Sequence, residues 1–282
     1  MIEVVDQLDA LRARIVAWKR DGLRVGFVPT MGNLHAGHFS LIELARRHTD
    51  KVVASVFVNP TQFGPNEDFG CYPRTPDADA EGLQAAGCNV LWLPSVGAMY
   101  PYGADHAVQM HVPGITDTLD GASRPGHFDG VATVVTRLFN QVQADVAVFG
   151  CKDYQQLAVI RYLVRDLAFP IEIMAGDTLR EADGLAMSSR NQYLSAENRA
   201  IAPTIHRLLQ AMRDAWHAGM PREGIEAIAD QFLRTAGFVP DYAVLRRPDL
   251  SEPMDGEGGA LVALVAARLG TTRLIDNLEF DA

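Results

Sequence analysis

The stretch Val25-Gly26-Phe27-Val28-Pro29-Thr30-Met31-Gly32-Asn33-Leu34-His35-Ala36-Gly37-His38 decides the fold of this chain. Its apolar start predicts a buried strand, and the glycine-bearing segment that follows predicts a turn into a helix. In a parallel sheet this order presents backbone N–H groups at a helix N-terminus, where phosphate groups bind. Because only Ala36 and Gly37 separate the two histidines, a triphosphate has room to lie against the backbone while both imidazoles donate hydrogen bonds to it.

The histidine pair is open to three interpretations. A single His in a turn is most often a helix cap or a solvated side chain. A zinc pair is a second possibility, because His at i and i+3 share a helix face, but no Cys, Asp or Glu lies within a few residues to complete a site. Neither Walker spacing nor Gly-x-Gly-x-x-Gly occurs in this stretch, so the phosphate interpretation points to the His-x-Gly-His type of nucleotidyl-transfer site.

Composition limits the class of protein. The 282 residues are 48% hydrophobic, which is enough for two domains with a sizeable core. A formal net charge of −10 argues against nucleic acid as a partner, since a polyanion needs a basic surface, but it allows small anionic substrates. Three widely spaced cysteines, Cys71, Cys88 and Cys151, favour a reducing compartment. The N-terminus lacks a signal-peptide pattern and every apolar run is too short for a bilayer, so we expect a cytoplasmic protein with no membrane partner.

Strand and helix patterns alternate through residues 1–177. Short apolar runs predict strands, with helical patterns between them, at Val25–Val28, Val52–Val58, Val90–Leu93, Val146–Phe149 and Ile171–Met174. This alternation predicts an α/β fold, a Rossmann-like parallel sheet domain. A polar connector follows, and after it come helical patterns at 197–218 and 223–236 and β-like runs at 242–245 and 261–266. These patterns predict a smaller C-terminal α+β domain over 178–282, which we expect to act as a lid. Pro203 is expected to break or bend the first of these helices.

Polar clusters follow two further predicted strands. Asn59–Phe63 comes directly after one strand, and Gly150–Gln156 comes directly after another. Because the carboxyl ends of parallel strands form the ligand crevice, these loops and the histidine turn are expected to belong to one site. Lys152 offers a compact positive charge for phosphate oxygens, and Asp153 can accept hydrogen bonds from ribose hydroxyls. The alternative is that the two residues form only a surface ion pair, which contributes little.

The remaining polar candidates suit an organic acid and a phosphate chain. The amides of Gln62 and Gln156 suit a small acid that carries hydroxyls, if they are not merely solvated. The connector segment Met187-Ser188-Ser189-Arg190 offers hydroxyls and a guanidinium that would close over a triphosphate, although alone such a segment is most often a turn or cap.

Together these motifs resemble the pantoate–β-alanine ligase family, from about Pro29 to Asn191 and more weakly beyond. The resemblance rests on the histidine turn and on Phe57-Val58-Asn59-Pro60-x-Gln62-Phe63, Tyr72-Pro73-Arg74-Thr75, Arg124-Pro125-Gly126-His127-Phe128-x-Gly130-Val131, Lys152-Asp153-x-Gln155-Gln156 and Arg180-Glu181-Ala182-Asp183-Gly184-Leu185-Ala186-x-Ser188-Ser189-Arg190-Asn191. His-x-Gly-His alone would indicate only the wider nucleotidyltransferase superfamily, but the ordered set is specific to this family.

The resemblance implies an ATP-dependent ligation in two steps. The carboxylate of (R)-pantoate attacks the α-phosphate of ATP to give pantoyl adenylate and pyrophosphate, and the amine of β-alanine then releases pantothenate and AMP. Magnesium is expected to arrive with ATP. Asp79 is a candidate for an indirect partner of the ion, but no side chain is assigned as its ligand. The family also implies a homodimer. Since the substrate carboxylate is itself the nucleophile, the enzyme mainly has to position it and to stabilise charge on the phosphates.

The resemblance also implies roles for individual residues. His38 matches the residue usually assigned as the catalytic acid, and His35, Lys152 and Arg190 are the other residues expected to act in catalysis. Gln62 and Gln156 match the pantoate-binding glutamines, with Gln62 also near β-alanine. The ATP-binding positions are Met31, Gly32, Asn33, Leu34, His35, Ala36, Gly37, His38, Gly150, Cys151, Lys152, Asp153, Leu179, Met187, Ser188, Ser189 and Arg190.

The chain departs from the family pattern at two positions, and two other functions compete with ligation. Cys151 stands where the family commonly has Glu, and Ala78 interrupts an acidic stretch. One alternative is a nucleotidyltransferase with a stable product, such as phosphopantetheine adenylyltransferase or a cytidylyltransferase. The second domain and the paired glutamines fit an acyl-transfer step better. The other alternative is an ATP-binding module without turnover, which loss of His38, Lys152 or Arg190 would have favoured, yet all three are present.

Overall fold

The computed structural model describes residues 2–64 and 68–282 of the chain. It consists of two compact units: Met1–Gly150 with Val159–Asp177, and Cys151–Ala158 with Thr178–Ala282. Its strands and helices are, in chain order, β1 Glu3–Val5, α1 Leu8–Arg20, β2 Val25–Thr30, α2 Ala36–His48, β3 Lys51–Val56, α3 Pro76–Ala85, β4 Val90–Trp92, α4 Val96–Met99, α5 Asp120–Ser123, α6 His127–Val142, β5 Val146–Gly150, α7 Tyr154–Asp166, β6 Glu172–Gly176, α8 Ala196–Ile201, α9 Thr204–His217, α10 Arg222–Thr235, β7 Val239–Arg246, β8 Ala260–Leu269 and β9 Thr272–Asp281.

The first unit is built on a six-stranded sheet with strand order β1-β4-β3-β2-β5-β6, in which every pair is parallel. Strand β2 pairs with β3 from Val25↔Lys51 to Thr30↔Val56, and it pairs with β5 through Gly26↔Val146. After β2, the chain adds β3 and β4 on one side of that strand, and then β5 and β6 on its other side. A ligand crevice forms at such a switch point, beyond the carboxyl ends of the strands, and the predicted histidine turn directly follows β2 there.

Apolar residues of α2 and α3 form a core with the sheet. Leu41, Ile42 and Ala45 of α2 are buried with Leu83 of α3 against the apolar side chains of β2, β3, β4 and β5. Strands buried in this way read as continuous apolar runs, which is why the sequence predicted them.

The second unit contains a three-stranded antiparallel sheet, β7-β8-β9, with α9 and α10 packed against it. The core includes Leu209 of α9, Leu233 of α10 and Val265 of β8. Helix α8 ends at Ile201 and α9 begins at Thr204, so of the two outcomes expected at Pro203, a break or a bend, the structure has the break.

The predicted fold class is confirmed: a parallel α/β sheet precedes a smaller α+β part with an antiparallel sheet. The predicted domains, 1–177 and 178–282, stay a prediction. Within the described residues, no helix combines the length and the apolar character needed to span a membrane.

Candidate active site

The turn after β2 has an unusual backbone that a buried carboxylate holds in place. Gly32 and Asn33 have φ angles of 88° and 52°, so the chain passes through the left-handed region at two consecutive residues. The side chain of Asp79, on α3, accepts hydrogen bonds from the N–H groups of Asn33 at 3.0 Å and Leu34 at 2.8 Å. A Cβ at position 32 would lie 3.0 Å from Asp79 Oδ2, so both the φ angle and the close approach require glycine.

The two histidines are oriented by the first turn of α2. His35 is the N-cap residue, and its Nδ1 accepts a hydrogen bond from Gly37 N at 3.1 Å. Nδ1 of His38 accepts in turn from His35 N at 3.2 Å, and the two ring centroids are 4.2 Å apart. Because each Nδ1 is an acceptor, each neutral ring carries its proton on Nε2. The helix N-terminus therefore fixes both imidazoles as Nε2–H donors, which is the arrangement that a bound phosphate needs.

Gln62 belongs to a buried polar network in the same unit. It ends the short 3-10 turn Pro60–Gln62 after β3, and Asn59 caps that turn. Asn59 Nδ2 donates to Gln62 Oε1 at 3.1 Å, and Gln62 Nε2 donates to Met31 Sδ at 3.1 Å. The Tyr100 hydroxyl donates to Asn59 Oδ1 at 2.6 Å, and burial raises the pKa of this phenol, which keeps it protonated. The network thus aims the Gln62 amide N–H at the residue that begins the histidine turn.

The start of α6 supports the turn that carries Gln62. A Cβ at Gly130 would lie 2.4 Å from Thr61 O, so the two backbones approach as closely as a glycine allows. Arg124 Nη1 and His127 Nε2 are 2.9 Å apart, and His127 Nδ1 is 2.8 Å from Gln62 O. Since a guanidinium can only donate, His127 Nε2 accepts and its Nδ1–H donates to the Gln62 carbonyl.

Lys152 lies in the second unit, in the loop before α7. Its Nζ is 3.7 Å from Asp153 Oδ2, and the Lys152 side chain is 19% exposed against 49% for Asp153. Asn277 Nδ2, on β9, donates to the carbonyl oxygens of Cys151 and Lys152, both at 2.9 Å. Gln156 follows in the first turn of α7 and is half-buried.

The segment Met187–Arg190 is held by a short hairpin in the second unit. Met187 N donates to Leu179 O at 2.9 Å, which joins two of the predicted ATP-binding positions. The Ser188 hydroxyl oxygen accepts from Arg190 N at 3.2 Å and caps the 3-10 helix Ser189–Tyr193. Its hydroxyl hydrogen is then available for an anionic ligand.

The predicted site residues thus form two groups. In the first unit, the turn Met31–His38 and Gln62 come together, while Gly150 ends β5. In the second unit are Cys151–Asp153 with Gln156, and Leu179 with Met187–Arg190. Within residues 2–64 and 68–282, no group of three or more His, Cys, Asp or Glu side chains is arranged to hold a metal ion.

The sequence alone did not identify the residues that support these groups. Among them is Arg180, in the hairpin before Met187, whose Nη1 donates to Asp276 Oδ2 on β9 at 2.6 Å. The family motifs, which were the available signal, include Asn59, Arg124, His127, Gly130 and Arg180. No signal of a supporting role marked Asp79, Tyr100, Asp276 or Asn277.

The parallel sheet carries a His-x-Gly-His turn at a helix N-terminus, and this turn lies at the switch point of the strands. These features define an α/β enzyme of the nucleotidyltransferase superfamily. Residues 3–279 match the family described as pantoate-beta-alanine ligase. The chain belongs to this family, so the predicted family and enzyme class are confirmed.

Relatives and solved structures support the assignment over the whole chain. The chain is 66% identical to the pantothenate synthetase of Xanthomonas oryzae pv. oryzae (strain PXO99A) and 65% identical to that of Stenotrophomonas maltophilia (strain K279a), in each case over 99% of this chain and 100% of the relative. It superposes on the pantothenate synthetase of Thermus thermophilus with a TM-score of 0.91 at 48% identity, covering 98% of this chain and 99% of that chain.

A second solved structure carries bound molecules. The pantoate-beta-alanine ligase of Francisella tularensis, described as complexed with beta-gamma ATP and beta-alanine, is 31% identical with a TM-score of 0.83, covering 99% of this chain and 97% of that chain.

Proposed function

We propose that this chain condenses (R)-pantoate with β-alanine, using ATP and passing through pantoyl adenylate. The observation that carries the proposal is the pair His35 and His38, each fixed as an Nε2–H donor at the N-terminus of α2. Such a pair is suited to phosphate oxygens on which negative charge increases during displacement.

In the first step, a carboxylate oxygen of pantoate forms a bond to the α-phosphorus of ATP while the bond to the bridging oxygen of the β-phosphate breaks. Pyrophosphate leaves with that electron pair. We assign His38 and His35 to the phosphates as donors, with Lys152 and Arg190 as the cations that balance the charge. These groups position and stabilise, and none of them forms a covalent intermediate.

In the second step, the neutral amine of β-alanine attacks the acyl carbon of the adenylate. The C–N bond forms, the bond to the AMP oxygen breaks, and the amine loses its proton to solvent. The amide product is pantothenate, and AMP is the leaving group.

Gln62 and Gln156 are assigned to pantoate. The Gln62 carbonyl oxygen already accepts from Asn59, so the amide orientation is set before a substrate binds. Its N–H faces the sulfur of Met31, and a thioether is a weak acceptor. A carboxylate or hydroxyl oxygen of pantoate is a stronger acceptor and would replace the sulfur at low cost.

Magnesium is proposed to bind with ATP rather than in a carboxylate site of the protein. Both oxygens of Asp79 accept backbone N–H groups, so this buried carboxylate is committed to the turn. When bound with ATP, magnesium would supply positive charge to the phosphates. The other ATP-binding positions that the family resemblance implies are proposed to contact ATP in this chain.

The chain is also proposed to act in the cytoplasm.

A homodimer is also proposed. This proposal is what the resemblance to the pantoate–β-alanine ligase family implies. The molar mass, measured by light scattering after size-exclusion chromatography, tests this proposal. A monomer at micromolar concentration would reject it.

Exchange of labelled pyrophosphate into ATP tests the proposed reaction. With magnesium and without β-alanine, exchange should require pantoate, and phosphopantetheine should not replace it. Addition of β-alanine should then release AMP and pantothenate in equal amounts. A folded sample that binds ATP but gives no pantoate-dependent exchange would reject the adenylate mechanism.

A further inference from the structure

Two adjacent polar residues are buried in the middle of β9. Asp276 and Asn277 are each 5% exposed, although the strand lies at the edge of the antiparallel sheet. Successive side chains of a strand point to opposite faces, so the pair contacts two different parts of the second unit. Each of these parts carries predicted phosphate-binding residues.

One face of β9 holds the loop that contains Lys152. The two hydrogens of Asn277 Nδ2 bond the carbonyl oxygens of Cys151 and Lys152, both at 2.9 Å. Two residues further along the same face, Glu279 accepts from the Tyr154 hydroxyl at 3.0 Å. These contacts fix the peptide groups on both sides of the Lys152 Cα and therefore the direction in which its side chain leaves the backbone.

The other face of β9 holds the hairpin that leads to Ser188–Arg190. Asp276 accepts from Arg180 Nη1 at 2.6 Å and Nη2 at 3.0 Å, a bidentate pair. The Arg180 guanidinium also donates to Gly184 O at 3.1 Å and to Asn277 O at 3.3 Å. Arg180 forms a β-bridge with Ala186, so this ion pair anchors the hairpin directly before the serine segment.

We propose that Asp276 and Asn277 are positioning residues that hold the Lys152 loop and the Ser188–Arg190 segment in one fixed arrangement for the phosphates of ATP. The inference rests on the proposed function, because it takes Lys152 and Ser188–Arg190 as phosphate ligands. Neither β9 residue contacts the substrate in this proposal. They act through the backbone of the residues that do.

The test compares Asn277→Ala and Asp276→Asn with the matched control Asp241→Asn. Asp241, on β7, also pairs with an arginine across the same sheet, since Arg273 Nε donates to it at 2.7 Å. Measurements are pantoate-dependent pyrophosphate exchange, the Kd of β,γ-imido ATP by calorimetry, and the thermal midpoint. We expect kcat/KM for ATP to fall about 10- to 100-fold in both β9 variants, as a displacement of about 1 Å does, and to stay within about 2-fold in the control.

A double-mutant cycle separates positioning from general destabilisation. If Asn277 acts through Lys152, then Asn277→Ala should reduce exchange by less than about 2-fold in a Lys152→Ala background, because contacting residues are coupled. Equal losses in both backgrounds would overturn the inference, and so would an Asn277→Ala variant with wild-type exchange and analogue affinity. Asn277→Ala decides the matter if Asp276→Asn fails to fold. Absence of exchange in the unaltered chain would instead reject the proposed function.

Discussion

Replacement of Asp79 by Asn removes the charge that holds the Gly32–Leu34 turn while keeping the side-chain shape. The carboxylate is 2% exposed, and it accepts from Asn33 N, Leu34 N and Thr75 Oγ1 at 3.0, 2.8 and 3.1 Å. An amide has one acceptor oxygen, so its NH₂ group must face one of the backbone N–H groups. At least one of the two backbone donors then loses its partner inside the protein.

The expected cost follows from these contacts. A hydrogen bond to a charged group contributes about 1.5–3 kcal/mol, and a buried donor left without a partner loses its solvation as well. Loss of one bond and weakening of the second should reduce the free energy of unfolding by about 2–4 kcal/mol. At roughly 2–4 °C per kcal/mol for a chain of this size, the thermal midpoint should fall by roughly 5–15 °C. Since the turn precedes His35, exchange should also fall about 10- to 100-fold.

The matched control is Asp77→Asn, in the first turn of the same helix. Asp77 is exposed, and both acids lie where the helix dipole favours negative charge, so both variants lose that contribution of about 0.3–1 kcal/mol. Urea midpoints and pyrophosphate exchange for the two variants isolate the role of the buried carboxylate. If Asp79→Asn and Asp77→Asn differ by less than about 0.5 kcal/mol and exchange equally well, the carboxylate does not hold the turn.

Four further outcomes are expected. His38→Ala should slow pantoate-dependent exchange by about 10²–10³, as loss of one preorganised donor does, and unchanged turnover would remove His38 from the mechanism. Tyr100→Phe deletes the hydrogen bond to Asn59 and should raise KM for pantoate roughly 3- to 10-fold, which corresponds to about 1 kcal/mol; an unaltered KM in steady-state assays would show that the amide is oriented without it. Burial raises the pKa of Cys88 to about 12, so iodoacetamide at pH 8 should modify it only in urea, and rapid modification of the native chain by mass spectrometry would contradict its burial. Burial lowers the pKa of His206 below its ordinary 6.5, so the unfolded chain binds the proton more readily than the folded chain. Stability should therefore fall as the pH drops below about 6.5 towards the folded pKa. The variant His206→Gln should flatten this part of a profile of urea midpoint against pH, and identical slopes for both proteins would refute the assignment.

Sequence patterns located most of the parallel sheet because its strands are buried on both sides. They failed at β1 and α1, which the structure adds at the N-terminus. Strand β1 begins with Glu3 and buries only Val5, so it lacks the apolar run that marked the equally short β4, and α1 buries only Leu11 and Ile15. A helix with so narrow an apolar stripe resembles a solvated segment in sequence. The fold class was therefore predictable, while these peripheral elements were not.

The site was predictable where chemistry and motif coincide in one segment. His35, His38 and Lys152 are conspicuous because their side chains suit phosphates. Asp79 and Tyr100 act through distant parts of the chain: Asp79 contacts a turn more than forty residues before it, and Tyr100 contacts a loop 41 residues away. Such pairings are produced by the fold and leave no local pattern in a single sequence.

Strand β9 was not predicted from the sequence, and it carries two of the supporting residues, Asp276 and Asn277. Leu274, Leu278 and Phe280 follow the period of two that marks a half-buried strand, but Asp276 occupies a core-facing position of the same series. Asn277, on the other face, is also buried, so the alternation of apolar and polar residues is lost. A buried carboxylate is costly unless it is paired, and a well-packed apolar pair is often at least as stable. Stability alone therefore does not account for the ion pair with Arg180. The same two residues that conceal β9 in the sequence hold the Lys152 loop and the serine hairpin, so the break in the pattern indicates a positioning role.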